Sequence, residues 1–250
     1  DIQREYGSDD YPEEIEIRGY KPKLSVHPGQ LKKALETLNH AKKPVFLVGG
    51  GVNISHAHSE MLNLAEMTGV PVVTTIMGKG AIPTTHDLYI RNLGIHGSYA
   101  ANTAISHCDV LFSIGTRFND RITGKTGHFA THAAIIHIDI DPASISRNIE
   151  VDIPIVADAK TALLALLEKA QKLDTQEWLE QIRQWKSQYP LSMKTEGLTP
   201  EKVIRAINHT FDNAIIATDV GQNQLWATQF LELSEKKQML TSGGLGTMGY

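Results

Sequence analysis

Cysteine is almost absent from this sequence: Cys108 is the only one among 250 residues. An intramolecular disulfide is therefore impossible, and a reducing, cytoplasmic location is expected. Because Cys108 stands at the entry to an apolar segment, we expect a buried small side chain there and not a catalytic thiol.

Long apolar runs and a strong excess of one charge are also missing. The longest apolar stretches, such as 70–76, are far too short to cross a bilayer, and the charged segment 1–20 lacks the apolar core of a signal peptide. The formal net charge is −4, so nothing favours nucleic acid or a membrane surface as a partner. Hydrophobic residues make up 41% of the chain, which is ordinary for a soluble globular protein.

Short β-branched segments alternate with segments of helical periodicity over most of the chain. This alternation predicts an α/β fold with a doubly wound, mostly parallel sheet and right-handed crossovers. The predicted strands are 45–48, 70–76, 109–114, 133–140 and 153–156, and the predicted helices are 31–38, 56–68, 98–107 and 158–173. A long loop is predicted at 77–97, and a short helical turn at 144–148.

A second, shorter α/β unit follows. Thr199 and Pro200 suit the N-cap and first position of a helix over 201–210, and strands are predicted at 214–218 and 238–241. Because two strands cannot bury a core alone, we expect a domain that is cut short. The predicted domains are a linker or arm at 1–27, a middle domain at 28–173, an interdomain connection at 174–197 and a truncated domain at 198–250.

The run Gly49-Gly50-Gly51 directly follows the first predicted strand and precedes a helix. Glycines in this position let backbone N–H groups approach a phosphate at a helix N-terminus. The spacing is not that of the G-x-G-x-x-G dinucleotide fingerprint, so a plain strand-to-helix turn is the alternative.

Charged side chains follow two later strands. Arg117 and Arg121 come after strand 109–114 and are candidates for pairing phosphate oxygens or a carboxylate; a solvated loop is the alternative. Asp139 is a candidate acceptor for ribose hydroxyls, whereas Asp141 is expected to cap the next turn. No metal-ligand spacing is found among the 11 histidines, and only His96 lies in a glycine-rich loop.

Two turns follow the two strands of the second unit, at 219–223 and 242–248. Such paired turns are candidates for closing over one pyrophosphate, and two ordinary glycine turns are the alternative. The three tryptophans, Trp178, Trp185 and Trp226, are interpreted as anchors on helix faces.

Taken together, the motifs VGGG, TTIMGKG, LGIHG, GTRFNDR, HIDIDP, DVGQ and TSGGLGTMGY, in this order, closely resemble the catalytic large subunits of acetolactate synthases (acetohydroxyacid synthases). The resemblance covers essentially the whole chain. It implies thiamine-diphosphate-dependent enzymes of three α/β domains, of which this chain would hold the FAD-binding middle domain and the opening of the pyrophosphate-binding domain. Such enzymes decarboxylate pyruvate and join the two-carbon unit to a second 2-oxo acid, early in the synthesis of isoleucine, valine and leucine.

The resemblance also implies binding residues. The implied FAD contacts are Gly49, Gly50, Gly51, Thr75, Ile76, Gly94, His96, Gly97, Gly115, Thr116, Arg117, Asn119, Arg121, Asp139, Ile140 and Asp158. The implied thiamine-diphosphate contacts are Val220, Gly221, Gln222, Gly246 and Met248. Met248 would lie under the bent cofactor.

The sequence departs from the family's usual residues at Asn119 (usually Asp), Ile95 (often Met) and Asn223 (often His). The family's catalytic Glu precedes the matching region, and its Gly-Asp-Gly motif for Mg²⁺ follows it. We therefore expect a fragment without catalytic residues or metal ligands, inactive alone. The implied partners are 2-oxo acids, further copies in a homodimer or homotetramer, and a regulatory small subunit. The alternatives are a pyruvate oxidase or glyoxylate carboligase, or a non-catalytic scaffold.

Overall fold

The computed structural model describes residues 4–8, 13–14, 25–193 and 196–250. Most of the predicted arm at 1–27 lies outside the described residues, so that assignment stays a prediction.

The first unit is built on a six-stranded, wholly parallel sheet in the order β3-β2-β1-β4-β5-β6. Its strands are β1 (Pro44–Val48), β2 (Val72–Thr74), β3 (Tyr89–Asn92), β4 (Val110–Ile114), β5 (Ala134–Asp139) and β6 (Ile153–Val156). Its helices are α1 (Pro28–Asn39), α2 (Gly50–Ile54), α3 (His58–Thr68), α4 (Tyr99–His107), α5 (Asp120–Thr123), α6 (Ala159–Leu167) and α7 (Gln176–Gln188).

Alternate residues of the strands supply two apolar clusters, one on each face of this sheet. Phe46 and Phe112 point to the face covered by α1, α3 and α6, where their rings meet edge to face at 5.7 Å. Leu47 and Leu111 point to the opposite face, which α4 and α7 cover. The prediction of a doubly wound parallel sheet is confirmed, since both faces of central strands must be apolar in such a fold.

Helix α7, predicted as an interdomain connection, packs on the second of these clusters. The buried Trp178 donates its indole N–H to the carbonyl of Pro44 at 3.1 Å and meets Trp185 edge to face. Cys108 is also buried here, which confirms the expected burial of this side chain, and burial raises the pKa of its thiol to about 12.

Side-chain caps account for where several helices begin. The Ser98 hydroxyl accepts from the amide of Ala101 at 3.1 Å, and the Asp158 carboxylate accepts from that of Thr161 at 3.0 Å. Asp141 accepts from the amide of Ala143 at 2.9 Å, as expected. Each bond satisfies an amide that the first helical turn leaves without a partner.

Some local predictions were wrong. The predicted loop at 77–97 contains β3, an edge strand whose pairing with β2 is interrupted by a register shift. The predicted helix 56–68 is α3, which begins at His58, and the short helix α2 before it was not predicted. The predicted helical turn at 144–148 is a 3₁₀ turn at Pro142–Ser144. The helix predicted to reach residue 173 ends at Leu167.

The second unit contains α8 (Pro200–Thr210), β7 (Ala214–Thr218), α9 (Gln222–Phe230) and β8 (Lys237–Thr241). Thr199 caps α8, as predicted, by accepting from the amide of Lys202. Strands β7 and β8 form a parallel pair. A small cluster around Phe230 and Leu233, against which Trp226 packs, covers one side of this pair.

Candidate functional site

The carboxyl ends of β1 and β4 meet at the centre of the six-stranded sheet. Strand order reverses between them, because the chain moves to β2 on one side of β1 and to β5 on the other side of β4. In open parallel sheets this switch point forms a crevice in which ligands bind. The glycine run after β1 and Gly115 after β4 lie there.

Close backbone packing explains two glycines of the run. A Cβ on Gly49 would lie 2.2 Å from the carbonyl oxygen of Gly115, and one on Gly51 would lie 2.7 Å from the Cα of Gly115. The amides of Gly49 and Gly51 donate to Ile114 and Gly115 at 2.9 and 3.0 Å. Within the described chain the amide of Gly50 has no acceptor, so it is the one free for a ligand.

The turn after β2 is tied to the same crevice. The amide of Thr75 donates to the carbonyl of Val48 at 2.9 Å, and the Thr75 hydroxyl accepts from the amide of Gly78 at 3.1 Å. Thr75 therefore shapes this turn with its side chain. Ile76 is half-buried beside it, and Met77 is exposed.

The loop between β3 and α4 contains Gly94, His96 and Gly97. The Asn102 side chain binds both backbone groups of Gly94, at 2.9 and 3.0 Å, and the amide of Ile95 donates to the carbonyl of Arg121 at 3.1 Å. The loop after β3 thus contacts the loop after β4, while the side chain of His96 is exposed.

The loop after β4 presents charged side chains to solvent. Arg117 and Asn119 are exposed, and Arg121 is 77% exposed, with Asp120 at 4.0 Å. Such an exposed ion pair contributes little stability, so the arginines are available to an anionic ligand. Phe118 anchors the loop from below, buried at a backbone φ of +50°.

His137 supports this loop from inside the sheet. Its Nε2 lies 2.7 Å from the carbonyl of Thr116, and burial lowers its pKa to about 4. The ring is therefore neutral near pH 7, with Nε2–H as the donor to Thr116. Its 3.7 Å approach to Asp139 is then not an ion pair.

Asp139 lies at the carboxyl end of β5, where the sequence predicted an acceptor for ribose hydroxyls. One carboxylate oxygen accepts from the amide of Asp141 at 2.9 Å. Burial raises the pKa of this carboxyl, although its hydrogen bonds and the nearby Arg117 oppose the shift. Ile140 follows it, half-buried, and the carboxylate of Asp158 caps α6.

The structure brings the two predicted turns of the second unit together. The Asp219 carboxylate accepts from the amide of Gly249 at 2.8 Å, which joins the turn of Val220, Gly221 and Gln222 to the turn that carries Gly246 and Met248. The Met248 side chain is 68% exposed. The Thr218 hydroxyl, at the end of β7, is buried and has no hydrogen-bond partner among the described residues.

Two family models match this chain. One described as "Thiamine pyrophosphate enzyme, central domain" matches residues 31–166, more than half of the chain. The other, "Thiamine pyrophosphate enzyme, C-terminal TPP binding domain", matches residues 219–250. The chain belongs to the thiamine pyrophosphate enzymes.

Relatives named acetolactate synthase large subunit match 96% of the chain. That of Corynebacterium glutamicum is 41% identical, and one named as probable, from Methanocaldococcus jannaschii, is 45% identical. The isozyme 3 large subunit of Escherichia coli is 40% identical. The chain covers 42%, 40% and 44% of the M. jannaschii, C. glutamicum and E. coli proteins, so it spans about two fifths of the curated relatives it matches.

The domain matches of the thiamine pyrophosphate enzymes divide the predicted site residues. Those predicted for FAD, from Gly49 to Asp158, fall in the central-domain match, and those from Val220 to Met248 fall in the TPP-binding match. The second match supports thiamine diphosphate as the cofactor. The individual contacts stay predictions.

Sequence reasoning missed three residues between the two units. Lys79 is buried with its ammonium 6.0 Å from the ring centre of Tyr89, and burial lowers its pKa to about 7. Arg91 and Gln229 join β3 to α9. The Gly-Lys-Gly pattern gives no signal that the lysine is buried, since that burial depends on residues distant in the sequence.

Among the described residues, no helix has both the length and the apolarity needed to cross a membrane. No group of three or more histidine, cysteine or acidic side chains suited to a metal ion lies among residues 4–8, 13–14, 25–193 and 196–250.

Proposed function

We propose that this chain is part of an acetolactate synthase catalytic subunit with FAD in its six-stranded unit. The observation that carries the proposal is 40–45% identity to acetolactate synthase large subunits over 96% of the chain. The full-length enzyme would decarboxylate pyruvate and join the two-carbon unit to pyruvate or 2-oxobutanoate, in branched-chain amino-acid synthesis.

The switch-point crevice fits a dinucleotide such as FAD. It offers the free amide of Gly50, the exposed guanidinium groups of Arg117 and Arg121, and the carboxylate of Asp139 at the end of β5. A diphosphate pairs with amides and guanidinium groups, whereas ribose hydroxyls donate to a carboxylate. The FAD would take no net redox part in the main reaction.

The second unit fits the diphosphate end of thiamine diphosphate. Its two turns meet through Asp219 and Gly249, and glycines at Gly221 and Gly246 adopt backbone φ angles of +152° and +68°. Thiamine diphosphate supplies the group on which a 2-oxo acid is decarboxylated. In this proposal, the turns bind the diphosphate with Mg²⁺, and the exposed Met248 packs against the cofactor.

Because the chain spans about two fifths of its relatives, we expect these 250 residues alone to be inactive. The full-length protein is proposed to be cytoplasmic and to assemble as a homodimer or homotetramer, with a regulatory small subunit as a further partner.

The test is an assay of the full-length protein with pyruvate, thiamine diphosphate, Mg²⁺ and FAD. Acetolactate is expected as the main product, and FAD is expected to raise the melting temperature of the protein. Hydrogen peroxide or acetyl phosphate as the main product would instead indicate a pyruvate oxidase. Activity on glyoxylate alone would indicate a glyoxylate carboligase.

A double variant tests the crevice itself. Gly50→Val places a side chain beside the free amide, where a Cβ would lie 3.0 Å from the Cβ of Met77, and Arg117→Ala removes one cation. We expect at least tenfold weaker FAD binding, measured by flavin fluorescence, because both changes act on the proposed diphosphate contacts. Unchanged affinity would contradict the FAD site and favour a scaffold role.

A further inference from the structure

We propose that Gln229 is a positioning residue that couples the FAD site to the thiamine-diphosphate site, an inference that rests on the proposed function. Gln229 is not itself a predicted contact of either cofactor. It lies near the end of α9, whose first residue is the predicted thiamine-diphosphate contact Gln222.

Two hydrogen bonds hold Gln229 to the first unit. Its side-chain amide donates to the carbonyl of His96 at 3.1 Å, within the predicted flavin loop. Its own carbonyl accepts from the guanidinium of Arg91 at 2.8 Å. A movement of the loop at His96 therefore acts directly on α9.

The other end of α9 is tied to the second predicted turn. The side-chain amide of Gln224 donates to the hydroxyl of Thr241 at the end of β8, and the chain then continues into the turn containing Gly246. Because a helix transmits displacement as a rigid rod, a shift at Gln229 reaches both thiamine-diphosphate turns.

The backbone of Arg91 supports a positioning role. Its φ of +137° is one that side-chain-bearing residues rarely adopt, and it accompanies the register shift between β2 and β3. Such strain persists only where the surroundings enforce it. Here the guanidinium reaches a carbonyl at the C-terminal end of α9, where a positive charge also stabilises the helix dipole.

A second contact, between Met77 and Gly243, also joins the two units. Met77, next to the predicted flavin contact Ile76, packs on Gly243, where a Cβ would lie 2.8 Å from the methionine sulfur. Gly243 also has a φ of +57°. The turn after β2 and the loop after β3 therefore each contact the second unit.

Coupling of this kind is reciprocal: if thiamine diphosphate tightens FAD binding, FAD must tighten thiamine-diphosphate binding by the same factor. In the full-length protein, FAD affinity would be measured by flavin fluorescence with and without saturating thiamine diphosphate and Mg²⁺. We expect thiamine diphosphate to tighten FAD binding by about fivefold or more.

Gln229→Ala removes the donor to His96 and keeps the carbonyl that Arg91 contacts. The coupling factor should fall below about twofold, while FAD affinity without thiamine diphosphate changes by less than about threefold. Gln229→Glu, which keeps the size but cannot donate when ionised, should lose the coupling as well. Gln188→Ala, at an exposed position on α7, is the matched control and should retain it.

The outcomes separate the two proposals. If the wild type binds both cofactors without coupling, the role of Gln229 is overturned but the proposed function is not. Unchanged coupling in both Gln229 variants has the same consequence. FAD affinity that falls equally with and without thiamine diphosphate would reveal a merely structural residue and also overturn it. A wild-type protein that binds neither cofactor overturns the proposed function and this inference together.

Discussion

The two parallel sheets of the molecule differ in how their faces are covered. In the six-stranded sheet, all residues of β4 are buried between two apolar clusters. In the two-stranded sheet, β7 alternates between half-buried and exposed positions, and Ile215 is 68% exposed. The first unit therefore contains most of the apolar burial that stabilises the fold, whereas the geometry of the second depends more on its contacts with the first.

The largest loss of folding stability is expected from Phe112→Ala, in the centre of the six-stranded sheet. Removing this buried ring, which packs on Phe46, should lower the free energy of unfolding by about 3–5 kcal/mol. The matched change Phe211→Ala, at an exposed ring beside the small sheet, should cost less than about 1 kcal/mol. Urea unfolding measures both, and equal losses would remove the contrast between the units.

The next largest loss of folding stability is expected from Gly115→Ala, at the switch point between β1 and β4. Gly115 has a φ of +63° and contacts the backbone of Gly51, whereas Gly246 has a left-handed φ of +68° and open space around it. Left-handed strain should cost the variants Gly115→Ala and Gly246→Ala about 1 kcal/mol each. Overpacking should cost Gly115→Ala about 1–3 kcal/mol more. Thermal or urea unfolding showing equal losses would contradict the tight backbone contact.

A pH-dependent effect is expected from His137 in β5. Its folded-state pKa of about 4 is below the ordinary 6.5, so between these values the unfolded chain binds a proton that the folded one does not. Stability is therefore full above pH 6.5 and lost as the pH falls towards 4, by about 3 kcal/mol at about 1.4 kcal/mol per pKa unit.

His137→Gln keeps a donor for Thr116 and removes the titration. Because other groups titrate in the same range, the informative quantity is the difference between wild type and variant in unfolding free energy at pH 7 and at pH 4.5. The wild type should lose more stability on acidification. An equal loss of stability in wild type and variant would mean that the imidazole is not buried in its neutral form.

The smallest expected change in the free energy of unfolding comes from a comparison of the two faces of β7. Ile215→Thr lies on the uncovered face and should change the free energy of unfolding by less than about 0.5 kcal/mol. Ile216→Thr, on the face that packs against the small cluster, should cost about 1–2 kcal/mol. A larger loss at Ile215 would show that something covers this face in solution.

Local chemistry explains what the sequence could predict. The bounds of β6 and β7 followed from short β-branched runs, and the start of α8 followed from Thr199 and Pro200. Strand β3 was missed because an edge strand with Arg91 and Asn92 lacks an apolar pattern, and its register with β2 is irregular.

The site could be predicted only in part, for a similar reason. Because the strands are parallel, the loops after them are expected to gather at one edge of the sheet. The parallel arrangement does not reveal which backbone atoms there stay without a hydrogen-bond partner. The amides of Gly49 and Gly51 are occupied by carbonyls of Ile114 and Gly115. The bonds of Gln229 to Arg91 and His96 join residues 138 and 133 positions apart, which no local pattern reveals.

The position of β1 in the sheet also bears on how the chain acquires its structure. Pro44 lies opposite Val110 in the register of β1 with β4, and all of β2, β3 and the helices between them separate the two strands in the chain. Closing so long a loop has an entropic cost before contacts can compensate it, which slows folding. During synthesis, the centre of the sheet cannot form until β4 has left the ribosome. Until then the backbone N–H and C=O groups on one edge of β1 have no partner strand, which leaves this edge open to misassembly.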